Sequence, residues 1–149
     1  MKEPSARHAA FVIERHYKAP PDQVFSAWAD AETKSKWFPE AETFEFRVGG
    51  HEINRGRIPG DPDSPLFTFD ACYQDIVPNN RIVYTYTMDM DDIRISVSVT
   101  TVEFKPTDGG TKLIYTEHGV FLDGHDTPEQ REHGTKELLD KLGEVFSRP

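Results

Sequence analysis

Strand-spaced tyrosines, a few carboxylates, six histidines and one cysteine are the groups in this chain that could carry chemistry. Glu117 and His118 are adjacent in a β-like run, so they point to opposite faces of a sheet. Whichever of the two faces an apolar interior has a perturbed pKa and could act as a general acid or base. Alternation alone leaves open which one that is. Glu45 and Arg47 lie two apart and share a face. Opposite Phe44, Phe46 and Val48 they read as a solvated ion pair of small energetic consequence. The alternatives are a surface for partner recognition, or the polar end of a pocket if the phase is reversed.

The other reactive groups do not assemble. His8, His16, His51, His118, His125 and His133 contain no i, i+4 pair around a glutamate, and no cysteine supports them, so no metal site is expected. Asp89 to Asp92 lacks the ligand spacing of a calcium loop. Cys72 has no recognisable base and reads as a small strand residue. There is no Gly-x-Ser-x-Gly elbow. Gly49-Gly50 and Gly109-Gly110 lack the lysine, hydroxyl residue and helix of a phosphate loop. No catalytic residue and no cofactor is assigned on these grounds.

The aromatic residues are more informative. Phe69, Tyr73, Tyr84, Tyr86 and Tyr115 fall on strand-like runs, and Trp28, Trp37 and Phe38 fall on helical segments. Plain core packing accounts for many of them. A buried tyrosine hydroxyl nevertheless needs a partner, and a face mixing tyrosine with phenylalanine suits an apolar pocket with a few oriented polar groups. These eight aromatics form the expected lining of a ligand cavity. Glu117 and His118 from the last strand, and Leu138 and Leu142 from the C-terminal helix, complete it.

The elements that must position these residues follow from periodicity. Phe11, Ile13, Arg15 and Tyr17 alternate with Val12, Glu14, His16 and Lys18 and give a first strand, stopped by Ala19-Pro20-Pro21-Asp22. Val24, Phe25 and Trp28 then share a helical stripe, and a second short helix is expected over 31–37. Alternation over 43–48 gives a strand that Gly49-Gly50 breaks, as a tight turn or bulge needing φ > 0 would. Further strands are expected over 51–57 and 66–77. Another pair carries Ile82, Tyr84, Tyr86 and Met88, then Ile93, Ile95, Val97 and Val99. The Asp108-Gly109-Gly110 hairpin leads into the last strand, 113–120. Thr127-Pro128-Glu129-Gln130 is a capping signature, and Leu138, Leu139, Leu142, Val145 and Phe146 stripe a helix ending near Ser147. The expected fold class is α+β: a curved antiparallel sheet of about six to seven strands, covered on one face by the amphipathic C-terminal helix.

Composition narrows the partners. The chain has 149 residues, enough for one domain, expected over 1–149 with its core at about 10–147. Seventeen basic against twenty-six acidic residues give a net charge of −9, which argues against nucleic acid and an anionic membrane surface as partners. The apolar stretches are too short for membrane insertion, and the polar start, 1–10, has no secretory core. A single cysteine fits a reducing compartment, so the cytoplasm is expected.

Four motifs carry a family resemblance. Arg15 with Ala19-Pro20 and Val24-Phe25 opens the pattern, and Lys36-Trp37-Phe38 closes the second helix. Glu45-Phe46-Arg47-Val48-Gly49-Gly50 forms an acidic-x-Arg-x-Gly-Gly strand and hairpin. Gly109-Gly110-Thr111-Lys112-Leu113 and then Gly134, Leu138 and Leu142 end it. Together they resemble the START-like (SRPBCC) superfamily, and within it homologues of the activator of the heat-shock protein 90 ATPase. The resemblance implies a helix-grip fold with an internal cavity between sheet and C-terminal helix. It implies binding of a small hydrophobic or amphipathic molecule. It also admits a chaperone or other protein partner, using Glu45 and Arg47, a homodimer, or a cyclase- or hydrolase-type enzyme. Many relatives carry a tryptophan after the matched Gly134; Thr135 stands there, which implies a more open or more polar cavity floor.

Overall fold

The computed structural model describes residues 3–147; Met1, Lys2, Arg148 and Pro149, the ends of the expected domain, lie outside the described residues. Strand β1 (Ala6–Tyr17) turns Phe11, Ile13 and Tyr17 inward, as the alternation requires. Pro21 starts α1 (Pro21–Ala29), whose Val24, Phe25, Ala27 and Trp28 are buried. Asp30 caps the one-turn helix α2 (Ala31–Lys34), its carboxylate accepting from the Thr33 amide at 3.0 Å. The chain then lays down β2 (Ala41–Phe44), β3 (His51–Gly56), β4 (Phe67–Val77), β5 (Arg81–Met90), β6 (Ile93–Thr107) and β7 (Gly110–Leu122). Helix α3 (Pro128–Ser147) follows, with the Gln130 amide donating to Thr127 Oγ1 at 3.1 Å as the capping signature predicts.

The seven strands form one antiparallel sheet in the order β1-β7-β6-β5-β4-β3-β2. Six are a meander, and β1 joins the far edge beside β7. The sheet grips α3, so the α+β helix-grip architecture is present. Helix α3 is tied to the β1 edge: Tyr17 OH donates to the Leu139 carbonyl at 2.7 Å, and Arg15 Nε to Asp140 Oδ1 at 2.7 Å. Its main packing partner is β1. The inner face of β3 to β5 is therefore left less covered, and that gap is where a cavity can form.

Three elements differ from expectation. The second helix stops at Lys34, and Trp37 and Phe38 follow in turn backbone that bonds back to Lys34. Strand β2 ends at Phe44 rather than running to Val48, because the backbone folds tightly on itself: the Arg47 amide donates to the Glu45 carbonyl and the Gly50 amide to the Arg47 carbonyl. Gly49 there has φ +85, and a Cβ on Gly50 would sit 2.1 Å from the Glu45 oxygen, which explains both glycines. In β6 the apolar alternation of Ile93, Ile95, Val97 and Val99 does not hold: Ile95 is buried, whereas Ile93, Val97 and Val99 are exposed. Met88 pairs with Ser96 and Asp89 with Arg94, so Ile95 is an extra residue. After this bulge Ser96, Ser98 and Thr100 point inward, and Val97 and Val99 are exposed.

Candidate functional site

A cavity of about 290 Å³ lies between the sheet and α3. Its inner end is aromatic: the Trp28 and Trp37 rings sit 4.7 Å apart, and Phe38 contacts Phe69 edge-on at 5.3 Å. Phe69 in turn packs on Tyr86 at 4.7 Å. Strand alternation explains these positions, since Phe69 of β4, Tyr84 and Tyr86 of β5 and Tyr115 of β7 occupy one face of the sheet. The end of β3 and the loop after it, Arg55 to Ile58, also line it, as does Leu138 of α3; Arg55, Arg57 and Ile58 are exposed and form its outer end.

Two buried ionic clusters flank the aromatic space. In the first, Lys34 Nζ lies 2.6 Å from Glu52 Oε1, and Tyr73 OH donates to the same oxygen at 2.5 Å. The lysine side chain is 7% exposed and the glutamate 1%. Burial pushes the Lys34 amine below the usual lysine range, and Glu52 opposes that shift. The ammonium also sits over the Phe38 ring, 4.8 Å from its centre. In the second cluster, Glu117 accepts from Tyr86 OH and Tyr115 OH, each at 2.8 Å. Arg131 of α3 donates to Tyr86 OH at 2.7 Å, to Ser96 Oγ at 2.8 Å and to Asp126 at 3.0 Å, and lies 3.6 Å from Glu117. Burial, reinforced by their glutamate neighbours, raises the Tyr73, Tyr86 and Tyr115 phenols well above the usual tyrosine range. Each buried carboxylate is thus matched by one cation and by hydroxyl donors, the condition under which buried charge is tolerated.

Comparison with known proteins decides the family. The profile described as Activator of Hsp90 ATPase homolog 1-like protein matches residues 18–147. The chain belongs to this family. Solved structures of the Activator of Hsp90 ATPase homolog 1-like fold agree. An uncharacterised protein from Rhizobium leguminosarum is 44% identical, with a TM-score of 0.91 over 99% of this chain and 100% of that one. A Rhizobium loti protein is also 44% identical, with a TM-score of 0.87 over 95% of this chain and 99% of that one. A Chromobacterium violaceum protein shares the fold at 24% identity and a TM-score of 0.80, over 94% of this chain and 98% of that one. No curated protein matches the sequence.

Within this family fold, the expected lining residues separate into three groups. Trp28, Trp37, Phe38, Phe69, Tyr84, Tyr86, Tyr115 and Leu138 border the cavity. Tyr73, Glu117 and Leu142 are buried but lie outside its wall: Tyr73 is turned to Glu52, Glu117 is covered by the tyrosine hydroxyls it accepts, and Leu142 packs in the core. His118 is corrected outright. It is exposed on the opposite sheet face, paired with Ala10 and Val99, because Glu117 takes the inward position. Glu45 and Arg47 are exposed, 3.4 Å from each other. Thr135 borders the cavity, its hydroxyl donating to the Arg131 carbonyl at 2.8 Å.

Lys34, Glu52, Asn54, Arg57 and Arg131 also build this site, and sequence reading passed over them. The only signal for Glu52 and Asn54 was their strand phase, one residue either side of Ile53. Lys34 and Arg131 look like ordinary polar helix residues, and only the tertiary fold buries them. Three buried atoms here lack a partner among the described residues: Trp28 Nε1, Asn54 Oδ1 and Glu52 Oε2. Trp28 and Asn54 border the cavity. No group of three histidine, cysteine or carboxylate side chains converges on a metal position among the described residues.

Proposed function

We propose that the protein binds one small hydrophobic or amphipathic molecule in the cavity between sheet and α3. The carrying observation is the aromatic cavity itself. Its volume of about 290 Å³ lies just below the ~300–1,000 Å³ of common ligand sites, which suits one small molecule. A filled core would place side chains there, because interiors pack to crystal-like density. The unpartnered Trp28 donor and Asn54 acceptor supply the few polar groups that orient a ligand in such sites. Glu52, through Oε1, and Glu117 are held by buried cations and tyrosine hydroxyls and neither borders the cavity, so the site is arranged to hold a molecule rather than to offer it a free base.

Thr135 provides the test. Replacing it by the larger Thr135→Trp fills the cavity from the helix side. Binding of a neutral apolar dye such as Nile red should weaken by about tenfold or more, while unfolding stays cooperative. Equal dye binding by the variant and the parent would place the dye elsewhere and remove this reading's support. The family description carries a second reading, contact with a chaperone through the exposed Glu45 and Arg47 face. It needs no cavity, and dye binding does not bear on it.

A further inference from the structure

The charged side chains that border the cavity are Lys34, Arg55, Arg57 and Arg131, and all four are cationic. The molecule as a whole carries −9, so the cavity wall has the opposite sign. Three of the four are neutralised locally. Lys34 meets Glu52 at 2.6 Å, Arg55 meets Glu42 at 2.7 Å, and Arg131 meets Asp126 at 3.0 Å. Arg57 is not. Among the described residues no carboxylate lies within 4 Å of it, and one guanidinium N–H donates to the Ser64 carbonyl at 2.5 Å. Asp61 and Asp63 share its loop, yet Asp61 Oδ1 accepts the Asp63 amide at 3.1 Å instead. Arg57 belongs to the exposed outer end of the cavity, whereas Trp28, Trp37 and Tyr115 at the inner end are buried. The space is therefore graded: aromatic inside, where the buried cations Lys34 and Arg131 are paired with carboxylates, and carrying an unneutralised cation, Arg57, at its mouth.

Resting on the ligand-binding reading above, we infer that the cavity selects amphipathic anions: an apolar body among the aromatics and an oxyanion head on the free guanidinium of Arg57. A guanidinium matches a carboxylate or phosphate with two parallel N–H donors. A cationic head would meet the unneutralised like charge of Arg57 at the mouth, so the site discriminates by repulsion as well as attraction.

The experiment is displacement of Nile red at low ionic strength by decanoate, decyl phosphate, decanol and decylammonium. Decanoate or decyl phosphate should bind about tenfold more tightly than decanol, with decylammonium the weakest. Arg57→Gln should shrink the anion-to-alcohol ratio towards one, and Arg57→Lys should keep part of it. Glu42→Gln frees Arg55 and should widen the ratio without touching Arg57. Decanol binding as tightly as both anions, or a ratio indifferent to Arg57→Gln, overturns the inference and leaves the cavity reading standing. Failure of the dye and all four competitors to bind overturns both.

Discussion

At the residue scale, the two buried carboxylates define how this interior tolerates charge. Removing one member of a buried pair strands the other and costs about 3–5 kcal/mol, whereas replacing both by apolar residues is close to neutral. Lys34→Met should therefore lower the unfolding free energy in urea by about that amount, through Glu52 left facing only Tyr73. The double variant Lys34→Met/Glu52→Met should recover most of the loss. A single variant as stable as the parent would show that the pair is not buried as described. The tyrosines set the alkaline limit. All five, Tyr17, Tyr73, Tyr84, Tyr86 and Tyr115, have native pKa values raised first of all by burial. The unfolded chain releases those protons near pH 10.0, so this contribution is intact below that pH and is lost as pH rises beyond it. Lys34 acts the other way between its depressed native pKa and 10.5, but it is one group against five. Stability should fall steeply above pH 10, with tyrosinate absorbance appearing together with loss of far-ultraviolet circular dichroism. Reversible ionisation of several tyrosines in a folded protein would contradict this.

At the element scale, periodicity was a good guide wherever a strand or helix keeps a regular phase. Phe69, Ala71 and Tyr73 of β4, and Tyr84 and Tyr86 of β5, face inward as their alternation requires. The Thr127 cap and the Leu139 and Leu142 stripe likewise place α3. The pattern failed where backbone irregularity resets the phase. One extra residue at Ile95 moves Val97 and Val99 to the solvent face and puts Ser96 within reach of Arg131. That is the register cost of a period-two structure. Glu117 and His118 show the complementary limit. Alternation states that one must be inside; the phase of Leu113 and Tyr115 continues to Glu117, and the β6–β7 register, pairing it with the buried Thr100, holds it there. Lys34 and Arg131 were illegible for a different reason: the surroundings that bury them come from strands distant in sequence.

At the scale of the whole molecule, the same asymmetry produces both the cavity and its charge. Helix α3 is anchored to the β1 edge, and over the far half of the inner face its Arg131, Thr135, Leu138 and Leu139 wall the cavity together with Trp28 of α1, the turn carrying Trp37 and Phe38, and the loop after β3. The aromatic residues keep that space open, and the loop brings Arg57 to its mouth. Ligand binding and anion selectivity both depend on the cavity accepting a guest. Native mass spectrometry of freshly purified protein, followed by denaturing extraction, tests this most directly. The account predicts an added mass that is present on the folded chain, disappears on denaturation, and belongs to a small amphipathic molecule. The bare chain mass, unchanged after incubation with fatty acids, aromatic acids and isoprenoids, would contradict it.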